Sequence, residues 1–325
     1  LIGRGADIRA RSKEGFTALL FAAQQGDLSS AKLLLDAGAD VNERMPVKHF
    51  APQGERRVLY LTPGKDAAAG GKDVLEPGAA DPRSGLTDQG APFGAAAGMS
   101  PLLLASAGGD EELALDMLDR GVEPRAADAN GTTALHFAFV KGLAYLGGSY
   151  VHLGASAYLF RPHMLDLAKA LIARGADVNA QLTKDSRLPR GSTPRFSLAG
   201  ATPFMLATAS MDVPAMKFLL ASGANPNLGM ANGTTPLMVI AGLGYLDVQD
   251  RTKQQWSSAL EAVKLLLDLG ADVNAVGDNG FTALHGAAYV GAGDIIRYLV
   301  SKGAKLEALD RSEEHTSELQ SRGLI

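Results

Sequence analysis

The sequence predicts an all-α solenoid of stacked helix-turn-helix units, on three observations. One phrase, Gly-Ala-Asp with its variants, recurs seven times, beginning at Gly5, Gly38, Gly121, Gly175, Gly223, Gly270 and Gly303. A second, Thr-Ala/Pro-Leu with its variants, starts at Thr17, Ser100, Thr133, Thr202, Thr235 and Thr282. In both series the shortest gap is 33 residues, and each longer gap in the core of the array is that unit plus an insert.

The stretch 270–303 gives the local physics of one unit. Asn279-Gly280 supplies a turn whose glycine tolerates positive φ, and Thr282 is placed to cap a short helix that buries Leu284 and Ala287. A second helix runs from about Asp294 through Ile295, Ile296, Leu299 and Val300, and Gly303 ends it as a left-handed cap. The turn recurs at Asn130-Gly131 and Asn232-Gly233, and Pro203 and Pro236 take the first helical position, where a missing N–H costs little. Each unit therefore reads hairpin, helix, turn, helix.

Asn279-Gly-Phe-Thr-Ala-Leu-His-Gly-Ala-Ala288, Leu265-Leu-Leu-Asp-Leu-Gly-Ala-Asp-Val-Asn274 and Asn130-Gly-Thr-Thr-Ala-Leu-His136 resemble the ankyrin repeat. The resemblance implies stacked ankyrin units with short β-hairpin loops: a partial unit at 1–10, then units at about 11–42, 98–125, 126–180, 198–228, 229–275 and 276–310. The pattern departs from the family at Ser100, at Gly200-Ala201 and at Lys305, which replaces the Asp of the last Gly-Ala-Asp. Inserts are expected at 43–97, 142–162, 181–197 and 244–257, and the insert-rich style is that of a bacterial protein. The chain opens on Leu1-Ile2-Gly3-Arg4 with neither Met nor a signal-peptide layout, so it is expected to begin inside a longer protein. Residues 311–325 break the pattern and resemble translated sequencing adapter, and are left outside the fold.

Composition narrows the function. With no cysteine among 325 residues, thiol nucleophiles, Cys-ligated zinc and disulfide scaffolds are excluded. A net charge of −4 speaks against a phosphate-neutralising surface, so no nucleic-acid partner is expected. Gly64 to Asp73 superficially resembles a phosphate loop but has the wrong spacing, and Asp73 stands where a hydroxyl belongs. Residues 43–97 hold 8 Gly, 6 Pro and 10 Ala, too little apolar surface for a core of their own. Gly142 to Phe160 carries no formal charge, but its four glycines and its place inside a unit favour an insert over a membrane span. Lys184 to Phe196 is locally basic and suits either an acidic partner or a plain solvated loop. Trp256 is expected in an insert as a packing anchor.

The resemblance assigns His136 and His285 to hydrogen bonds between adjoining repeats. It also implies a scaffold that binds a protein partner through the hairpin and first helix of each unit, with no catalytic group, cofactor or metal and a monomeric array. Carried over by motif, the contact positions are Lys13, Glu14, Phe16, Gln24 and Gln25 in the first unit, Thr132, Val140 and Lys141 in the third, and Asp278, Asn279, Phe281, Tyr289 and Val290 in the sixth. Phe16, Phe281 and Tyr289 are the strongest of these if exposed, and Phe16 and Phe281 equally suit packing against the next hairpin. Two further readings stand beside the scaffold: a recruiting arm for a catalytic domain outside this chain, and a small-molecule site built by the inserts from His152, His163, Arg187, Arg190 or Asp247.

Overall fold

A computed structural model describes residues 2–12, 15–46, 98–142, 162–184, 198–243 and 252–306. After a 3-10 turn at Ile2–Arg4, twelve helices follow among the described residues, in six pairs. The pairs are α1 (Ala18–Gln25) with α2 (Leu28–Asp36), α3 (Pro101–Gly108) with α4 (Glu111–Asp119), and α5 (Ala134–Ala138) with α6 (Leu165–Ala173). They continue with α7 (Pro203–Ala209) and α8 (Val213–Ala221), α9 (Pro236–Ala241) and α10 (Lys253–Asp268), and α11 (Ala283–Tyr289) and α12 (Gly293–Ser301). The described residues form no β-strand; the hairpins are turns, with one isolated bridge between Ala127 and Thr133.

Each first helix begins the way the repeated phrase dictates. The hydroxyls of Thr17, Ser100, Thr133, Thr202, Thr235 and Thr282 each accept from the backbone N–H three residues on, a cap typically contributing about 1 kcal/mol. Pro101, Pro203 and Pro236 then fill the first helical position. The second helices are capped less uniformly. Asp27 and Asp212 cap α2 and α8, whereas α6 lacks a cap of its own and the Leu167 N–H is taken by Glu111 Oε1 of the preceding unit at 2.9 Å.

First helices pack on first helices along the array, from α1 to α11, and the second helices form a layer behind them. Leu19, Leu103, Leu135, Phe204, Met238 and Leu284 belong to one continuous core that runs through all six units. Burying a side chain of this size contributes about 1.5–3 kcal/mol, and most of that burial depends on a neighbouring unit. Exposed ion pairs span the second helices, as from Arg120 to Asp36 at 2.7 Å, and contribute little by comparison.

The inserts leave the array at positions that differ from the sequence expectation. Met45 N–H donates to Met99 O at 2.9 Å and Gly98 N–H to Met45 O at 3.1 Å, so 43–46 is one arm of the second hairpin. Leu182 and Gly200–Ala201 pair in the same way in the fourth unit. Both inserts therefore interrupt a hairpin, where a turn can be lengthened without disturbing the helices on either side. Residues 252–257 are likewise ordinary structure: Thr252 caps α10, and Trp256 lies on that helix, half-buried against the core. The run at 64–73 and residues 311–325 lie outside the described residues, as does the uncharged stretch beyond Gly142. Among the described residues no helix is long and apolar enough to cross a membrane.

Candidate protein-binding surface

The hairpins form one edge of the array; backbone hydrogen bonds tie them to each other from the third unit onward, and Arg11 and Arg44 side chains span the earlier junctions. In the first, third, fifth and sixth units a short rung closes each turn: Ser12 N–H to Phe16 O, Asp128 to Thr132, Met230 to Thr234 and Gly277 to Phe281, at 2.8–3.0 Å. Neighbouring tips are then linked directly, Thr183 N–H to Asn130 O at 2.8 Å, Ala231 to Ala199 at 2.7 Å and Asp278 to Asn232 at 2.9 Å. Backbone groups are thus occupied within the edge, which leaves side chains at the tips, such as Asp278 and Asn279, directed to solvent.

The thirteen motif-matched positions divide sharply. Gln25, Asp278, Asn279 and Tyr289 are exposed, and Gln24, Lys141 and Phe281 are half-buried. Phe16, Thr132, Val140 and Val290 are buried and offer a partner almost no surface. Lys13 and Glu14 lie outside the described residues. The register explains the buried group. The residue before each cap, namely Phe16, Met99, Thr132, Ala201 and Thr234, is buried wherever a following first helix packs on its own, and Phe16 stacks on Phe21 with ring centroids 4.8 Å apart. Phe281 holds the same place in the sixth unit, touching His285 edge-on at 5.8 Å.

Among the described residues four ionisable groups inside the array are shifted mainly by burial. One of them, Asp128, is pushed up although the Asn130 and Thr132 N–H groups donate to its Oδ1. His136 is fully buried, and removal from water lowers its pKa to about 4. His163 is also driven below the usual range, by burial first and against the pull of Asp212. Glu43 moves the other way: burial raises its pKa, although Thr17 Oγ1 donates to it at 2.5 Å and Arg11 lies 3.3 Å away. His163 Nε2 reaches both Ser210 Oγ at 3.0 Å and Asp212 Oδ2 at 3.5 Å. A relay needs the acid on one ring nitrogen and the nucleophile on the other, so this trio cannot work as a hydrolytic triad. Of the residues named for an insert-built site only His163 is described, and no described cluster of ligating groups could hold a metal ion.

The family model described as ankyrin repeats (3 copies) matches residues 255–310, and that of the ankyrin repeat matches residues 14–45 and 199–229. The crystal structure of the human ASB11 ankyrin repeat domain superposes with a TM-score of 0.52 at 20% identity, covering 94% of this chain and 91% of that one. Residues 14–45, 199–229 and 255–310 are ankyrin repeats, within an all-α repeat solenoid of the ankyrin-repeat fold. Among curated proteins, neurogenic locus notch homolog protein 2 of Homo sapiens is 30% identical over 220 residues, which is 67% of this chain and 7% of that protein. The nuclear factor NF-kappa-B p105 subunit of Gallus gallus is 27% identical over 254 residues, 68% of this chain and 24% of the relative. Protein phosphatase 1 regulatory subunit 27 of Mus musculus reaches 43% over 63 residues, 19% of this chain and 41% of the relative. The chain therefore spans less than half the length of each.

Ankyrin repeats generally mediate protein–protein interaction, and their fold is typically a non-catalytic interaction module. In this chain one set of residues with a clear task escaped the sequence reading. Asn42, Asn179 and Asn274 close the Gly-Ala-Asp-Val-Asn phrase, and each accepts through Oδ1 from a backbone N–H of the next repeat, those of Glu123, Asn225 and Lys305, at 2.8–2.9 Å. Asn179 and Asn274 also donate back, to Gly223 O and Gly303 O. Their recurrence at a fixed offset from the phrase was the available signal.

Proposed function

We propose that this array is an interaction scaffold that binds a protein partner along the edge formed by the hairpin tips and the exposed ends of the first helices. The observation that carries the reading is the row of tips: their backbones are committed to each other, while Asp278, Asn279, Gln25 and Tyr289 project to solvent. A rigid frame with variable exposed side chains loses little entropy on binding. Phe16, Thr132, Val140 and Val290 act in this reading as support for the edge and not as contacts.

The test is to replace Gln25, Lys141, Asp278 and Asn279 together by Ala, and to titrate the variant against a partner captured with the unaltered chain. Affinity is expected to fall at least tenfold while the melting temperature stays within a few degrees. Unchanged affinity would move the binding surface elsewhere on the array.

A further inference from the structure

His136 and His163 occupy one interface, between the third and fourth units, and hold α7 at its two ends. At its start, His136 Nε2 lies 3.2 Å from the carbonyl oxygen of Ala201, the residue before the Thr202 cap. His136 Nδ1 accepts from the Thr133 N–H at 3.2 Å, so the ring proton is on Nε2, which donates. At the other end, His163 Nε2 lies 3.0 Å from Oγ of Ser210, the residue that caps the helix. Ser210 directs its one hydroxyl proton to Ala207 O at 2.9 Å, so it accepts from His163, and that ring too carries its proton on Nε2.

A second proton fits neither ring. On His136 it would place an N–H on Nδ1 against the Thr133 N–H and break the reciprocal cap. On His163 it would go to Nδ1, which is buried without a hydrogen-bond partner, in a ring packed 5.0 Å from Phe139. Among the described residues the charged groups that face these rings are Asp177 for His136, and Asp212 and Lys141 for His163. Glu111, nearby on α4, is committed to the Leu167 amide. The carboxylates favour the imidazolium, as do the backbone carbonyls of Ala201 and Ala180 at His136 and of Ala138 at His163; burial, joined at His163 by Lys141, opposes it and dominates at both sites.

We propose that the interface between the third and fourth units is an acid-sensitive joint, at which protonation of His136 and His163 releases both ends of α7 and the array opens first. The joint between the first and second units is built with the opposite response, because its half-buried carboxylate, Glu43, accepts from the Thr17 hydroxyl and acid neutralises it.

Amide hydrogen exchange on the whole chain at pH 7.5 and pH 5.0, corrected for intrinsic rates, tests this. A histidine titrating near 6.5 when exposed and about 4 when buried raises the opening equilibrium about 25-fold over that range. Protection in α5 and α7 is therefore expected to fall at least that far in acid, while α1 and α3 hold theirs. Gln offers an amide N–H in place of Nε2–H and does not titrate, so H136Q and H163Q should each shrink the fall and the double variant should abolish it. An equal loss in α1 and α7 of the unaltered chain would overturn the proposal without any variant, as would a full acid response in H163Q and H136Q together.

Discussion

Gly286 of α11 lies against Leu243 of the preceding unit so closely that a methyl group on its Cα would stand 2.7 Å from the Leu243 backbone nitrogen. Gly242 is its counterpart across the gap, where a Cβ would meet Gly286 O at 2.5 Å. These glycines set the separation of the fifth and sixth first helices. Replacing a helical glycine by alanine ordinarily stabilises by about 1 kcal/mol, but here overpacking against backbone costs about 1–3 kcal/mol. G286A is therefore expected to destabilise in a denaturant titration. A gain would mean that the two helices separate readily.

The buried histidines on one side, and Glu43 and Asp128 on the other, give stability two opposed pH dependences. His136 has a folded pKa of about 4 against an ordinary 6.5, so its contribution is complete above pH 6.5 and is lost as pH falls towards 4, about 3 kcal/mol in all. His163 acts with the same sign. Glu43 is raised in the folded chain, so stability from this group declines as pH rises from about 4.5 through its folded value. Denaturant midpoints should therefore fall between pH 7.5 and 5, and E43Q should gain more over the unaltered chain at pH 7.5 than at pH 4.5. A variant gain that is larger in acid would contradict the burial of this carboxylate.

Much of this architecture was legible because it rests on local chemistry. The cap at Thr282, the proline at Pro236 and the left-handed glycine at Gly303 each depend on a few consecutive residues, and each stands where the repeated phrases put it. Contacts between units were harder to read. Phe16 and Thr132 resemble variable surface positions in a single unit, and only stacking shows that their register is covered. Glu43 was assigned to an insert, yet it holds the Thr17 hydroxyl, a task that His136 and His285 perform for Thr133 and Thr282. Such substitution of one partner for another across 26 residues leaves no periodic trace.

Met211 marks a second departure from the repeated pattern. It turns the chain between α7 and α8 at φ 58°, where Gly26, Gly109 and Gly291 serve in the first, second and sixth units. A left-handed conformation costs a residue with a Cβ about 1–2 kcal/mol, which the buried Met211 side chain offsets through its packing. Both M211A and M211G lose that packing, but only glycine also relieves the backbone. M211G should therefore be the more stable of the two by about 1 kcal/mol in chemical unfolding; the reverse order would show that the turn relaxes when the side chain is removed.

Phe281 and Tyr289 were grouped as contact aromatics, and the structure separates them. Tyr289 ends α11 with 53% of its surface exposed, whereas Phe281 is half-buried, touches His285 and occupies the register that is covered in every earlier unit. Truncating an exposed side chain ordinarily changes stability by less than about 0.5 kcal/mol, and truncating a partly buried aromatic by about 1–3 kcal/mol. Y289A is thus expected to melt with the unaltered chain and to weaken partner binding, while F281A should melt earlier. If Y289A melts early as well, the outward side of α11 is a packing surface, and partner contact falls to Asp278, Asn279 and the hairpin tips before them.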